Sequence, residues 1–489
     1  MSYSSISDWP KALSSSRRRF LSQVGGGFGS LAAMDLLLHE QLSNNQAKAN
    51  ETTGSTDLNG GLHHPAKVRR VIQLFMNGGT SQMDTFDYKP ELHARHGEKQ
   101  DFGIKTAVTS DPGSLMKSPF EFQQHGESGR YVSSVFPNVA QHVDDLAFLM
   151  AMKSQTNVHG PASYLQNTGF LNPGFPCFGA WLNYGLGRLT DNLPSFVVLP
   201  DHRGLPYNNT GNFSAGFLPA SNAATIIKPH TDHPIPNLFP PDSAEQITAA
   251  SESDGLRLID GLNKQHLASR TADLRLEARM QSFELAARMQ LSAPEALDIS
   301  GETETTLNSY GLNEEATASF GKNCLLARRL IERDVRFVQV WSGAGGASNN
   351  WDNHTDIPNE LATIARSVDQ PISTLLTDLK ERGLLEDTLV IWTTEFGRMP
   401  FTQGATGRDH NGGTFVSWLA GAGIQGGTSF GQSDDFGYEA VEDITTGYDL
   451  HATILHLMGV NHERLTYRHN GLERRLTDVH GHVIDTVLA

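Results

Sequence analysis

The chain has 489 residues, of which 38% are hydrophobic and 19% charged, and its formal net charge at pH 7 is −16. The acidic excess is spread along the chain, which argues against nucleic acid as a partner, because phosphate binding requires a basic face. No run of about 18 apolar residues occurs after the first 49 residues, so we expect no transmembrane helix in the mature chain. Cys177 and Cys324 are the only cysteines, and they fit one disulfide or two buried free thiols equally well.

The first 49 residues are predicted to be a twin-arginine signal peptide. Ser16-Arg17-Arg18-Arg19-Phe20-Leu21 matches the export motif, a Gly-rich apolar segment follows, and Ala47-Lys48-Ala49 offers a cleavage site. The twin-arginine route carries folded proteins, often with a metal already bound. We therefore expect a periplasmic or extracellular protein, with residues 50–66 as a tether.

The predicted fold begins with a near-continuous apolar run over 69–76, which is typical of a central parallel strand. The run ends in paired glycines followed by Thr80, Ser81 and Asp84. Glycines at this place let the backbone approach a ligand closely, and the hydroxyls and carboxylate supply candidate site groups. The alternative is a capped turn with Ser81 or Asp84 as the N-cap.

Two further predicted strands end in polar residues. The run 146–152 leads to His159, although a single histidine in such a place is more often structural. The strand 335–341 leads to Asp352 and His354, whose spacing of two residues lets both side chains reach one ion.

A fourth predicted strand, 388–394, is followed by the densest polar cluster. Glu395 and Arg398 come directly after it, and a Gly-rich loop then presents Asp409 and His410. A polar surface loop is the alternative. A helix over 358–383, with Gly383 as its C-cap, precedes this strand.

The alternation of strands and helices predicts an α/β fold with a mostly parallel central sheet covered by helices on both faces. Parallel strands bring their carboxyl ends to one edge, where ligands bind in such folds. We therefore expect the polar clusters to meet there. Mixed carboxylate and imidazole ligands suit Zn²⁺, Mn²⁺ or Fe, whereas Ca²⁺ or Mg²⁺ is favoured if carboxylates dominate.

Five segments resemble, in order, the successive motifs of the DUF1501 family of exported bacterial proteins, which are abundant in planctomycetes: FMNGGTSQMDTFDYKP, NVHGPASYLQNTGF, WDNHTD, TTEFGRMP and GRDHNGG. That family is placed in the alkaline phosphatase/sulfatase superfamily. The resemblance implies a single alkaline phosphatase-like domain over 67–489, with insertions at about 98–135 and 200–300, and a metal site at the strand ends.

The chain also departs from the superfamily pattern. Asn77 stands where an Asp ligand is usual, and Phe396 where a His ligand is usual. Neither Cys177 nor Cys324 lies in the C/S-x-P-x-R motif needed for formylglycine, so a formylglycine sulfatase is not expected.

The leading hypothesis is an exported hydrolase of sulfate or phosphate esters that uses a divalent metal, with Zn, Mn and Ca as candidates. Its substrate would be an anionic small molecule or a sulfated polysaccharide. Candidate metal ligands are Asp352, His354, Glu395, Asp409, His410 and Asp84, and Asp409 can alternatively orient His410.

The candidate catalytic groups complete this hypothesis. Thr80, Ser81 or water is the nucleophile, Arg398 clamps the oxyanion, and His159 is a ligand or general acid. The alternative hypothesis is a catalytically degenerate protein of the same fold that binds glycans or surface partners, because Asn77 and Phe396 replace expected ligands.

Overall fold

The computed structural model describes residues 61–103, 111–236, 238–239, 249–268, 274–346, 348 and 350–489. The predicted signal peptide and residues 50–60 of the predicted tether lie outside this part of the chain. Within it, none of the helices is long and apolar enough to cross a membrane. Cys177 and Cys324 are both buried free thiols.

The strands are, in chain order, β1 (Arg70–Met76), β2 (Phe122–His125), β3 (Arg130–Ser133), β4 (Leu146–Lys153), β5 (Phe196–Leu199), β6 (Thr225–Ile226), β7 (Phe337–Ser342), β8 (Thr388–Thr393), β9 (Gly397–Gln403), β10 (Gly407–Asn411), β11 (Phe415–Gly421), β12 (Thr428–Phe430), β13 (Gln432–Ser433), β14 (Ala440–Glu442), β15 (Thr445–Thr446), β16 (Tyr467–His469) and β17 (Leu472–Arg474). The α-helices are α1 (Pro90–Ala94), α2 (His159–Thr168), α3 (Phe178–Leu186), α4 (Ala249–Ala268), α5 (Leu274–Leu297), α6 (Glu304–Ser309), α7 (Glu315–Glu332), α8 (Ile357–Glu381) and α9 (Gly447–Leu457).

One large sheet organises the described residues, with strand order β12-β4-β11-β8-β1-β7-β5-β6 and with β15 beside β4. β11 runs antiparallel to β4 and β8, and the other pairings in this sheet are parallel. The mostly parallel sheet predicted from the sequence is therefore confirmed. The carboxyl ends of β1, β4, β7 and β8 all lie at the same edge.

Helices cover the sheet because its strands have apolar side chains on both faces. Every residue of β1, β7 and β8 is buried. On one side, Phe178 and Trp181 of α3 and Leu450 and Ile454 of α9 share a core cluster with Phe75 of β1. α8 packs against α7, which in turn packs against β7.

The described residues divide into two units. Residues 235–280 form one unit, which contains α4 and the first turns of α5. The other unit contains the sheet and every residue discussed below.

Two segments contain strands that the sequence did not predict. The first predicted insertion, at about 98–135, contains the hairpin of β2 and β3, whose strands are short and half-exposed. The predicted Gly-rich loop after Glu395 is instead the hairpin of β9 and β10, in which His410 pairs with Arg398. Gly404, with φ +62°, supplies the left-handed turn residue that the hairpin requires.

Candidate metal centre

Four side chains converge at the carboxyl edge of the sheet: His159, Asp352, His354 and His410. One ligand atom from each lies within 4.8 Å of the others. Asp352 Oδ1 is 2.7 Å from His354 Nε2, 3.0 Å from His410 Nε2 and 3.3 Å from His159 Nε2. His410 Nε2 is also 3.0 Å from His159 Nε2 and 2.8 Å from His354 Nε2. Two ligands of a tetrahedral ion at about 2 Å are about 3.3 Å apart, which is close to these five separations.

Three separate parts of the fold supply these groups. His159 is the first residue of α2, which follows β4. Asp352 and His354 lie in the loop between β7 and α8, and His410 lies on β10. The parallel order of β4, β7 and β8 brings the ends of these connections to one edge, as predicted, and the β9–β10 hairpin places His410 beside the other three.

The loop after β1 holds the Asp352 segment in place. Trp351 N donates to Asn77 O at 3.0 Å. Gly78, with φ +127°, lies so close that a Cβ there would be 2.6 Å from the backbone nitrogens of Trp351 and Asp352. Glycine is therefore required for this loop to lie against the Asp352 segment.

In His159, His354 and His410, Nδ1 faces away from the cluster and contacts a hydrogen-bond acceptor. His159 Nδ1 is 2.8 Å from Glu395 Oε1, and His410 Nδ1 is 2.9 Å from the carbonyl oxygen of Asn157. His354 Nδ1 contacts Gln403 Oε1. A carboxylate, a carbonyl and an amide oxygen accept hydrogen bonds, so each Nδ1 donates. In the neutral tautomer each Nε2 then has a lone pair that points into the cluster, as it does in histidines that bind metal.

Glu395 lies behind the cluster rather than in it. Its Oε1 accepts from His159 Nδ1 and from Gly78 N, each at 2.8 Å, and its Oε2 accepts from the Thr394 hydroxyl at 3.1 Å. The side chain is fully buried. The sequence predicts a ligand at Glu395, whereas the structure gives it the position of a residue that orients a ligand.

Electrostatics favour a cation at this point. Burial opposes ionisation of Asp352, but its close contacts with the three imidazole rings and the charge of Arg398 hold its pKa well below the usual range. Burial lowers the pKa of His410 to about 4. Burial also acts to lower the pKa of His159, but its bonds to Asp352 and Glu395 outweigh that effect and raise it. A proton on His159 and a metal ion would thus compete for the same negative site.

Arg398 faces the backbone rather than open space. The guanidinium is fully buried and donates to Asp352 Oδ1 at 2.7 Å and to carbonyl oxygens of Gly78, Gly79, Trp351 and Arg408. The sequence predicts an oxyanion clamp at Arg398. In the structure, the N–H groups of Arg398 instead hold Asp352 and the loop after β1.

The other candidates from the first loop and from β10 have partners of their own. Asp84 accepts from Arg408 Nε at 2.7 Å and from Ser81 Oγ at 2.6 Å, so it lies in a buried ion pair apart from the cluster. Thr80 Oγ1 is buried with no hydrogen-bond partner among the described residues. Asp409 Oδ1 accepts from the backbone N of His410 at 2.8 Å and so orients that residue.

Around the cluster, Tyr207, Gln403 and Asn157 were not candidates from the sequence, whereas Phe396 was noted because it stands where a His ligand is usual. The ring of Tyr207 stacks on His159 with centroids 4.3 Å apart, and Phe396 packs against both His159 and His410 at 4.8 Å. Gln403 is likewise distant in sequence from the histidine that it contacts. Asn157 alone could have been suspected, because it lies two residues before His159.

The family described as "Protein of unknown function (DUF1501)" matches residues 68–488. The chain belongs to this family. The segments quoted above for their resemblance to this family contain the four converging side chains. Among curated proteins, none matches the DUF1501 chain significantly.

Solved structures with a similar fold are found among sulfatases and alkaline phosphatases. Ps i-CgsB, in complex with k-i-k-neocarrahexaose, has 13% identity and a TM-score of 0.36, covering 80% of this chain and 72% of that one. The PsFucS1 sulfatase from Pseudoalteromonas sp. has 13% identity and a TM-score of 0.32, covering 81% and 68%. The alkaline phosphatase from the Antarctic bacterium TAB5 has 11% identity and a TM-score of 0.34, covering 81% and 99%.

Proposed function

We propose that this DUF1501 protein is an exported, metal-dependent hydrolase of sulfate or phosphate esters, acting on an anionic small molecule or a sulfated polysaccharide. One observation carries the proposal. The Nδ1 atoms of His159, His354 and His410 all contact acceptors, so three Nε2 lone pairs and a carboxylate oxygen face one another. Such an arrangement is repulsive unless a metal ion or a proton on His159 lies between the four atoms, and the two compete for the same place.

The donor set favours Zn²⁺ or Mn²⁺ as that cation. Three imidazole nitrogens and one carboxylate suit these ions, whereas Ca²⁺ takes oxygen ligands. Four protein ligands complete a tetrahedron, so a catalytic ion at this site must be five- or six-coordinate to accept a substrate as well.

The protein groups around the ion have distinct proposed roles. His159, Asp352, His354 and His410 hold the ion, and Glu395 fixes the orientation of His159. A bound ion of this kind polarises an ester oxygen and lowers the pKa of a water molecule. Water is then the proposed nucleophile, because the Thr80 and Ser81 hydroxyls are buried and Ser81 donates to Asp84.

The test combines metal analysis with an ester panel. We expect the purified full chain to bind Zn²⁺ or Mn²⁺, with His354→Ala and His410→Ala each removing the ion and the hydrolysis of nitrophenyl sulfate or phosphate esters. His482→Ala is the matched control, because its side chain is 93% exposed. The absorption spectrum of the Co²⁺-substituted protein would distinguish four-coordinate from higher-coordinate binding.

Two results would count against the proposal in different ways. Absence of bound metal would remove its basis. Metal binding with no turnover of any ester, combined with binding of a glycan, would instead favour a catalytically degenerate binding protein.

A further inference from the structure

Tyr207 contacts two of the segments that carry the proposed metal ligands, although it is not one of those ligands. It lies in the connection between β5 and β6. Its ring stacks on that of His159, with centroids 4.3 Å apart and planes inclined by 10°. Its hydroxyl donates to the carbonyl oxygen of Gly346 at 2.7 Å, in the β7–α8 connection that also carries Asp352. One side chain therefore bridges α2 and the Asp352 segment.

The Tyr207 hydroxyl has a second contact, which leads to the backbone of a proposed ligand. Asn350 Nδ2 donates to this hydroxyl at 3.3 Å and to the carbonyl oxygen of Gly346 at 2.7 Å. Asn350 Oδ1 accepts from the backbone N of Asp352 at 3.0 Å. Asn350 is 4% exposed, and these bonds hold its amide in one orientation. The Tyr207 hydroxyl and the Asp352 backbone are thus held by the same amide.

The backbone around Tyr207 is bonded to α2. Tyr207 O accepts from Asn212 Nδ2 at 2.6 Å, and Asn212 Oδ1 accepts from Ser163 Oγ of α2 at 3.1 Å. The next residue, Asn208, donates from Nδ2 to the carbonyl oxygen of Gly160, the second residue of α2, at 2.7 Å. The segment that carries the tyrosine ring is therefore attached to the helix that begins with the stacked histidine.

The stacking completes the restraint on the His159 ring. His159 Nδ1 is 2.8 Å from Glu395 Oε1, but a single hydrogen bond leaves a ring free to tilt about that contact. Stacking on the Tyr207 ring, which is itself held at its hydroxyl and its backbone, removes this freedom. It keeps Nε2 directed at the other three proposed ligands, and locking a ligand in this way reduces what metal binding costs in ordering.

A cation on His159 strengthens the same contact. Coordination draws electron density out of an imidazole ring, and the face of a tyrosine ring attracts the positive charge that results. The stacking is therefore stronger in the metal-bound protein than in the metal-free one, and the difference contributes to metal affinity.

We infer that Tyr207 is a positioning residue of the metal centre: its ring fixes the plane of His159, and its hydroxyl holds that ring against the Asp352 segment. The inference rests on the metal site of the proposed function but not on ester hydrolysis. A tyrosine that only packed at this place would contribute to folding and leave metal affinity unchanged.

The affinity of the full chain for Zn²⁺ and for Mn²⁺, measured by competition with a fluorescent chelator, tests this role. We expect Tyr207→Leu to lower the affinity by at least about 10-fold, as removal of other groups that orient a ligand does. Tyr207→Phe keeps the ring and should remain within about threefold of the parent, since it loses only the hydroxyl contacts. The absorption spectrum of the Co²⁺-substituted protein should change in the leucine variant and not in the phenylalanine variant.

Tyr184→Leu is the matched control. Tyr184 is also half-buried, and its hydroxyl also donates to a backbone carbonyl oxygen, that of Thr466 at 3.3 Å. Its ring packs edge-on against Trp181 instead of stacking on a histidine. Urea unfolding of the metal-free proteins would show the stability cost of each substitution, and we expect Tyr184→Leu to have this cost without any change in metal affinity.

A double-mutant cycle shows whether the ring acts through His159. In a His159→Ala background the ligand that the ring orients is gone. Adding Tyr207→Leu should then lower metal affinity by no more than about threefold, the share of the hydroxyl contacts.

Parental metal affinity in Tyr207→Leu, equal affinities of the leucine and phenylalanine variants, or an undiminished effect in the His159→Ala background would overturn the inference. Absence of metal binding in the parent would overturn it together with the proposed function. Metal binding with the expected order of variants, but no turnover of any ester, would support the positioning role and count against hydrolysis alone.

Discussion

At the scale of single residues, the environment of each ring decides what a buried histidine can do. In the candidate metal centre, three Nδ1 atoms contact acceptors, so the Nε2 atoms face the point where an ion could bind. His451 is more deeply buried, and among the described residues its one hydrogen-bond partner is the carbonyl oxygen of Gln166, to which Nε2 donates at 3.0 Å. It is a structural histidine.

Glu395→Gln tests whether the acceptor behind His159 matters for the metal. The substitution replaces a carboxylate that accepts from His159 and Gly78 by an amide of the same shape. We expect metal affinity to fall by about 10- to 100-fold, the usual effect of removing such a partner. Competition with a fluorescent chelator measures it. Glu386→Gln on the surface is the control, and equal affinities of the two variants would contradict the role given to Glu395.

Because His451 is buried, we expect the protein to lose stability in acid. Burial lowers its pKa from 6.5 to about 4, so between these values the unfolded chain binds a proton that the folded chain excludes. Above pH 6.5 neither state binds this proton and the full stability is present. As the pH falls, proton binding to the unfolded chain lowers the free energy of unfolding, by about 2 kcal/mol at pH 5. Urea unfolding of the metal-free protein at pH 7.5 and pH 5 measures the change.

The control for this effect is His451→Gln, which cannot titrate. The other histidines are the same in both proteins, so their effects cancel in the difference. We expect the variant to lose about 2 kcal/mol less than the parent between the two pH values. Equal losses of stability in the parent and the variant would mean that His451 binds its proton in the folded state as well.

At the scale of elements, the loop that follows β1 connects the parts of the site. Gly78 N donates to Glu395 after β8, and Asn77 O accepts from Trp351 after β7. The same loop provides two of the carbonyl oxygens that receive Arg398. The ends of three adjacent strands are thus joined by two hydrogen bonds of this loop, one to the Glu395 side chain and one to the Trp351 backbone.

Gly78→Ala tests this close packing. Its Cβ would lie 2.6 Å from two backbone nitrogens of the Asp352 segment. Gly97 has φ +87° and no atom within 4 Å of the place that a Cβ would occupy, so it separates the steric cost from the cost of a positive φ. We expect Gly78→Ala to lower the free energy of unfolding by about 1–3 kcal/mol more than Gly97→Ala, and to weaken metal binding as well. Equal destabilisation in urea titrations would contradict the packing argument.

At the scale of the whole molecule, a metal ion at this site would link segments that are far apart in the chain. His159, Asp352 and His410 belong to three different connections of the sheet. An ion that binds them together is present only in the folded protein, so its binding free energy adds to stability.

Metal removal is therefore expected to lower thermal stability. At a free Zn²⁺ or Mn²⁺ concentration 100-fold above the dissociation constant, binding adds about 2.7 kcal/mol to the free energy of unfolding. Thermal unfolding before and after chelation measures the change. The His354→Ala/His410→Ala double variant should show no shift on chelation, and a shift of the same size in that variant would point to metal bound elsewhere.

The sequence was most informative where the chemistry is local. Apolar runs predicted β1, β4 and β8, because a strand buried on both faces has to be apolar throughout. The polar residues after those runs were recognisable as candidates. The hairpin of β9 and β10 was not predicted, because its buried residues include Arg398, Arg408 and Asp409, which have the composition of a surface loop.

By itself, the sequence determined the α/β class, the strand ends that carry polar groups, and the family to which the chain belongs. The tertiary structure alone decided which of those groups meet. It brought His159 into the cluster, set Glu395 behind it, and turned Arg398 towards backbone carbonyls and Asp84 towards Arg408. The physical reason is that residue type sets what a side chain can bind, whereas strand order, register and the direction of each ring decide what lies within reach.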